Sequence, residues 1–366
     1  MIKYIDFDSL HNENLRTEAL EIFSEIMKNN SFVDGPYNKQ FENDFAKLQG
    51  AKICRLVANG TDALEISLLV HGIERGDHVA VPGITFYATA EAILNVGAVP
   101  VFVDVDPETG LACPESFKKI CDRFEIKAFM SVHIYGLPAD IPTLNKIAVE
   151  KDIPVIEDAA QACGAFINGK PIGASGNLTT FSFYPTKNLG AMGDAGAILC
   201  ETEEQAHKID QIRNHGRGSD GKVMGRNSRC DHFQAAVLCL KMKQIEAQND
   251  QRKAAAKRYH EGLSRNEIFK LLPSKYLETS SFHIYPIRFE TSELRQKFQD
   301  HMKEVGIGTS NFYMKALSQE PALSHFQGEK ENAEKFATTV AGLPMHAFLT
   351  EEHTNEVIQH ALSFKA

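Results

Sequence analysis

Short apolar runs alternate with amphipathic stretches along most of the chain, and the alternation sets the expected elements. The first 30 or so residues read as helical and polar, ending at Asn29-Asn30-Ser31, and a loop follows at Val33-Asp34-Gly35-Pro36. Strands are predicted at Lys52–Ala58, His78–Pro82, Val99–Val105, Ala128–His133 and Pro154–Glu157. Helices are predicted between them at Thr61–Ile73, Ala88–Val96, Pro114–Phe124 and Ile141–Lys151. Two more strands read at Thr179–Phe183 and Gly196–Glu201. This order predicts an α/β fold: a mostly parallel sheet with both faces covered by helices. From about residue 232 the pattern changes. Helical stretches at His232–Ala247 and Gln251–Leu263 lead to a strand at Phe282–Phe289, a helix at Ser292–Val305 and two final helices. The expected division is a large α/β domain over 1–245 and a smaller C-terminal α+β domain over 246–366. No internal repeat is present.

The chain has 366 residues, enough for two or three domains at roughly 100–200 residues each. It is 43% hydrophobic and 24% charged, which suits a large buried core and excludes disorder as the main state. The net charge of −9 speaks against binding nucleic acid by phosphate neutralisation. Seven cysteines lie scattered with no CxxC pair, so neither a disulfide framework nor a zinc knuckle is expected. The first residues show no signal-peptide pattern, and no apolar run reaches the roughly 18 residues of a membrane span. A cytoplasmic protein with free thiols, acting on neither membrane nor nucleic acid, is the expectation.

In an open parallel sheet, ligands collect at the carboxyl ends of the strands. Four segments fall there. Asn59-Gly60-Thr61-Asp62 opens a helix, where free N–H groups suit a phosphate; the plainer use is an N-cap by Thr61 or Asp62. Phe86 follows a strand and could stack on a flat ring or simply pack. Glu157 and Asp158 end an apolar strand, and alternation sends them to opposite faces. Lys187 lies in a turn between Pro185 and Gly190, just after the aromatic strand that carries Ser182. A desolvated lysine has a lowered pKa and attacks carbonyls. Together these are the parts that pyridoxal phosphate needs: an amine, an acid for the pyridine nitrogen, and donors for the phosphate. No GxGxxG opens the first strand–helix turn, which argues against a dinucleotide-binding dehydrogenase.

The same residues carry a resemblance. Asn59-Gly60-Thr61-Asp62-Ala63-Leu64, Glu157-Asp158-Ala159-Ala160-Gln161-Ala162, Ser182-Phe183-Tyr184-Pro185-Thr186-Lys187-Asn188-Leu189-Gly190, Asn227-Ser228-Arg229 and Gly342-Leu343-Pro344-Met345-His346 resemble the sugar-nucleotide aminotransferases of the DegT/DnrJ/StrS family. These are fold-type I pyridoxal phosphate enzymes, and the similarity runs nearly end to end. It implies a Schiff base at Lys187, a pyridinium partner at Asp158, Gln161 near the ring hydroxyl and Phe86 on the ring. It further implies phosphate donors at Gly60, Thr61, Asp62 and Ser182. Asn227 is expected to reach the phosphate of a neighbouring subunit, so the site is shared in a homodimer. Thr186 departs from the glycine that many members carry beside the lysine. The implied reaction moves an amino group from L-glutamate to a nucleotide-linked keto-sugar by a ping-pong route. A dehydratase, a transaminase of a sugar without nucleotide, and a non-catalytic cofactor-binding regulator are the alternatives. His215 and Tyr313 are offered as sugar-pocket residues. His346, His353 and His360 are read as helix or surface positions, too far apart for an obvious metal site.

Overall fold

The computed structural model describes residues 1–365. Its centre is a seven-stranded sheet built from β1 (Ile53–Val57), β2 (His78–Pro82), β3 (Val99–Val103), β4 (Ile126–Val132), β5 (Val155–Asp158), β8 (Leu178–Ser182) and β9 (Gly196–Cys200), with a small hairpin of β6 (Phe166–Ile167) and β7 (Lys170–Pro171) between β5 and β8. The order is β1-β9-β8-β5-β4-β2-β3, and β9 alone runs against the others. The mostly parallel sheet predicted from the alternation is therefore present. Six carboxyl ends gather on one edge, joined there by the amino end of β9, where Gly196 pairs with both Val57 and Ser182.

Helices cover both faces. Gly60–Val70, Tyr87–Asn95 and Glu203–Arg213 pack on one side, with Leu64, Leu68 and Ile93 against Val81 and Ile156. Pro114–Arg123 and Ile141–Glu150 pack on the other, with Phe117 and Leu144 against Phe129 and Val155. Val155 and Ile156 thus face opposite ways, as the two-residue period of a strand requires.

A helix at Pro36–Gln49 had no counterpart in the sequence reading. It starts with proline in its first turn and ends on Gly50 in the left-handed region (φ 71°), the usual punctuation of a helix. It buries Phe41 and Phe45 edge-on against Phe181 and Phe183, which steadies the strand leading to Lys187. The C-terminal elements shift too. One helix ends at Met242 and the next starts at Ile245, six residues earlier than read, because Ile245 is buried in the core and draws the second helix back. The strand read from Phe282 starts at Tyr285: Phe282 has positive φ, and the N–H groups of Ser281 and His283 bond instead to the carbonyls of Gly136 and Tyr135. That strand, β11 (Tyr285–Phe289), lies between β10 (Phe269–Lys270) and β12 (Val340–Leu343) in a separate antiparallel sheet.

Candidate active site

The sheet edge where the strands end opens into a cavity of about 840 Å³. Lys187 and Asp158 both line it, brought together by adjacent parallel strands β5 and β8. Asp158 is 6% exposed. Its Oδ2 accepts from Thr89 Oγ1 at 2.9 Å and its Oδ1 from the Ala160 N–H at 3.1 Å. Thr85 Oγ1 lies 2.7 Å from Thr89 Oγ1, so a short hydroxyl chain holds the carboxylate in one orientation.

Glu157 goes the other way, as the alternation predicts. It is fully buried beneath the sheet, where His133 Nε2 lies at 2.8 Å, Asn177 Nδ2 donates at 2.8 Å and Ser175 also bonds. The Ala139 N–H donates to His133 Nδ1, which leaves the His133 proton on Nε2, pointing at Glu157. Glu157 fastens the sheet, and Asp158 faces the cavity.

Burial pushes the Lys187 amine down to about 8, although the Asp158 carboxylate partly opposes the shift. A lysine so placed is a nucleophile near neutral pH. Since only the free base adds to an aldehyde, pyridoxal phosphate uptake by the cofactor-free protein should quicken as pH rises, with a midpoint near pH 8. Stopped-flow absorbance checks this; a midpoint at the ordinary lysine value of 10.5 contradicts the burial argument.

The helix Gly60–Val70 points its N-terminus into the cavity. Its cap is Asn59, whose Oδ1 accepts from the Asp62 N–H at 2.8 Å. That corrects the plainer reading, which gave the cap to Thr61 or Asp62. Among the described residues no acceptor takes the Gly60 or Thr61 N–H, which leaves both to an anion. A Cβ at position 60 would lie 2.7 Å from the Ser182 Cβ, so only glycine lets the helix start come this close to β8. Phe86 is 56% exposed and turns its ring to the cavity beside Tyr313, 5.8 Å between centroids. Gln161 is gripped at both ends, with the Tyr135 N–H on Oε1 and Tyr313 Oη 2.9 Å from Nε2.

The donors, the aromatic surface, the desolvated amine and the oriented acid fit pyridoxal phosphate. Gly60, Thr61, Asp62, Phe86, Asp158, Gln161, Ser182 and Lys187 all line one cavity. Tyr313 lines it too. His215 is exposed and does not line the cavity of its own chain, because it sits in the loop after Glu203–Arg213. Asn227 is likewise exposed and outside it. His346 is no surface residue: it is 8% exposed in the cavity wall. Thr89 escaped the sequence reading, as did Arg252 and His283, which also line the cavity.

The family described as "DegT/DnrJ/EryC1/StrS aminotransferase family" matches residues 13–362. The chain belongs to that family. It is a family of pyridoxal phosphate-dependent aminotransferases, and the DegT/DnrJ/EryC1/StrS pattern covers nearly all of this protein. A Geobacillus stearothermophilus relative named pleiotropic regulatory protein is 37% identical over 359 residues, covering 96% of this chain and 95% of its own. The UDP-2-acetamido-2-deoxy-3-oxo-D-glucuronate aminotransferase of Pseudomonas aeruginosa is 35% identical, covering 95% of this chain and 96% of its own. Among solved structures, DesV of S. venezuelae superposes with a TM-score of 0.92 at 30% identity, covering 100% of this chain and 99% of that one. The fold is thus that of the fold-type I aminotransferases. No helix among the described residues is long and apolar enough to cross a membrane.

Proposed function

We propose that this aminotransferase moves the amino group of L-glutamate onto the 3-oxo carbon of a nucleotide-linked hexose, in amino-sugar biosynthesis. The observation that carries the reading is the pairing of a desolvated Lys187 amine with an oriented Asp158 carboxylate at the ends of adjacent strands. The choice of a 3-oxo sugar follows several relatives whose names place the oxo or amino group at that carbon.

When bound, pyridoxal phosphate supplies an electron sink for the charge left at the donor α-carbon. The protein's residues do the rest. Lys187 Nζ, as a free base, would take the α-proton of the donor and later give a proton back, acting as base and then acid. Asp158 would keep the ring nitrogen protonated, and Thr89 and Ala160 hold that carboxylate in place. Gly60 and Thr61 N–H groups, with Asp62 and the Ser182 hydroxyl beside them, would grip the phosphate; Phe86 would cover the ring, and Gln161 would meet its hydroxyl. The two half-reactions use one cavity in turn, so ping-pong kinetics follow.

A homodimer completes this reading. Leu20, Phe23, Met27, Phe32 and Val33 are exposed within one stretch, an apolar surface that suits a second copy. Asn227, outside its own cavity, is assigned to the partner's phosphate. The units are taken as 1–245 and 246–366, supported by the two separate large and small sheets. Seven free cysteines suit the reducing cytoplasm.

The test is a panel of UDP- and dTDP-linked 3-oxo and 4-oxo hexoses with L-glutamate, read by 2-oxoglutarate release. Turnover confined to 3-oxo nucleotide sugars is expected. Release with the 4-oxo sugars only, or with none of the panel, overturns the assignment. Cofactor retained with no turnover on any sugar instead supports the regulatory reading that the Geobacillus relative's name suggests.

A further inference from the structure

The helix Ile245–Gly262 places Arg252 in the cavity wall. The side chain is 5% exposed, and its buried Nε and Nη1 have no partner among the described residues. Buried charges are normally paired, because an uncompensated one is costly. No carboxylate offsets this one. Burial lowers its pKa to about 10. Lys241 adds a second buried cation: its Nζ is also unpartnered, and after burial it is the Arg252 charge that lowers it, to about 8.

His283 and His346 line the wall, and burial is the main reason both pKa values fall below the usual imidazole range. The Arg252 charge lowers each further, so both rings are neutral at pH 7. His283 feels the Lys187 charge as well, which puts Arg252 and the reactive amine within electrostatic reach of one imidazole. Asp6, the wall's nearby carboxylate, is occupied by the Ser9 hydroxyl at 2.5 Å and by Lys3. Among the described residues no carboxylate pairs with Arg252, so its charge stands uncompensated in the cavity wall.

We propose that Arg252 is the binding residue for a carboxylate of the amino donor. The proposal rests on the aminotransferase reading and deepens it. Arg252 lines the cavity and has spent neither Nε nor Nη1 on a described residue, and a guanidinium is the side chain that takes a carboxylate in a bidentate pair. Every turnover admits an amino acid and releases its 2-oxo acid, and both carry this group. The unpaired charge in the free protein is then a cost in stability kept for binding.

The experiment uses the holoenzyme in its pyridoxal form, where 2-oxoglutarate binds without reacting. Calorimetry should show binding to wild type and binding about 10- to 100-fold weaker to Arg252→Met, the loss expected for hydrogen bonds to a charged group. The kcat/KM of the glutamate half-reaction should fall by the same factor, with the sugar's KM unchanged. In the absence of ligand, Arg252→Met should melt at or above the wild-type temperature, because removing an unpaired buried charge relieves a cost. Unchanged 2-oxoglutarate affinity overturns the proposal. So does a change confined to the sugar's KM, which would assign the seat to a carboxylate on the sugar. If Arg252→Met does not fold, wild type carries the test: 2-oxoglutarate should raise its melting temperature and the uncharged dimethyl ester should not, and equal shifts overturn the proposal. A wild type that binds 2-oxoglutarate through Arg252 yet never converts glutamate would sink the aminotransferase reading and leave the carboxylate seat standing.

Discussion

Lys187→Ala is expected to leave a folded protein that shows no borohydride-sensitive imine absorbance with pyridoxal phosphate and turns over at least about 10⁴-fold more slowly. Two functions disappear together: the nucleophile that takes up the cofactor and the base that moves the α-proton. Stability should not suffer. Burial already penalises its charge, and no hydrogen bond contributes to the shift of its pKa. The checks are an absorption spectrum before and after borohydride, a melting curve and the rate of 2-oxoglutarate release. Transamination at the wild-type rate would remove Lys187 from the mechanism.

Asp158→Asn is the second large effect, with an expected loss of about 10²- to 10³-fold in turnover, the scale on which one oriented electrostatic partner acts. Two donors converge on the carboxylate, the Thr89 hydroxyl and the Ala160 N–H, and an amide can accept only through its one oxygen. The Ala160 N–H can keep that oxygen while the Thr89 hydroxyl turns to accept from the amide and donate to Thr85 Oγ1, so the cost in stability should stay within about 1 kcal/mol. The variant carries a signature of its own. Asp158 raises the Lys187 pKa, so neutralising it lowers that pKa further, and the midpoint of cofactor uptake should move below pH 8. A wild-type rate, or a midpoint shifted upward, contradicts the assigned role. The shift also separates electrostatics from mere unfolding, which would not move the midpoint in one direction.

The parallel half of the fold is plain in the sequence because strands buried on both faces read as short continuous apolar runs, as in Val99–Val103. What stayed hidden was decided by tertiary contacts. No glycine or proline marks the break before Ile245; the burial of that side chain places it. Phe282 reads as strand by composition, but the backbone around it is claimed by Gly136 and Tyr135. The site divides in the same way. Gly60, Asp158 and Lys187 stand at strand ends, where topology itself points. Thr89 reads as an ordinary threonine in an alanine-rich helix, and only the fold sets its hydroxyl against Asp158. Arg252 hides in a strongly charged helix, though a signal was present. The buried positions Ile245, Asn249, Arg252, Ala256 and Tyr259 repeat at intervals of four and three, so the arginine occupies an inward stripe. Charge in the same segment masked that spacing.

The neighbours Glu157 and Asp158 share one chemistry and lead separate lives because a pleated backbone turns successive side chains opposite ways. Length is therefore frozen here more tightly than composition. One extra or missing residue within Val155–Asp158 would trade the fastener for the acid, stranding one carboxylate beside hydroxyls meant for the other and emptying the His133 lock. Natural variation in chain length must fall elsewhere, in surface loops such as the one after Arg213, while this tetrapeptide tolerates exchange of letters but no change in their number.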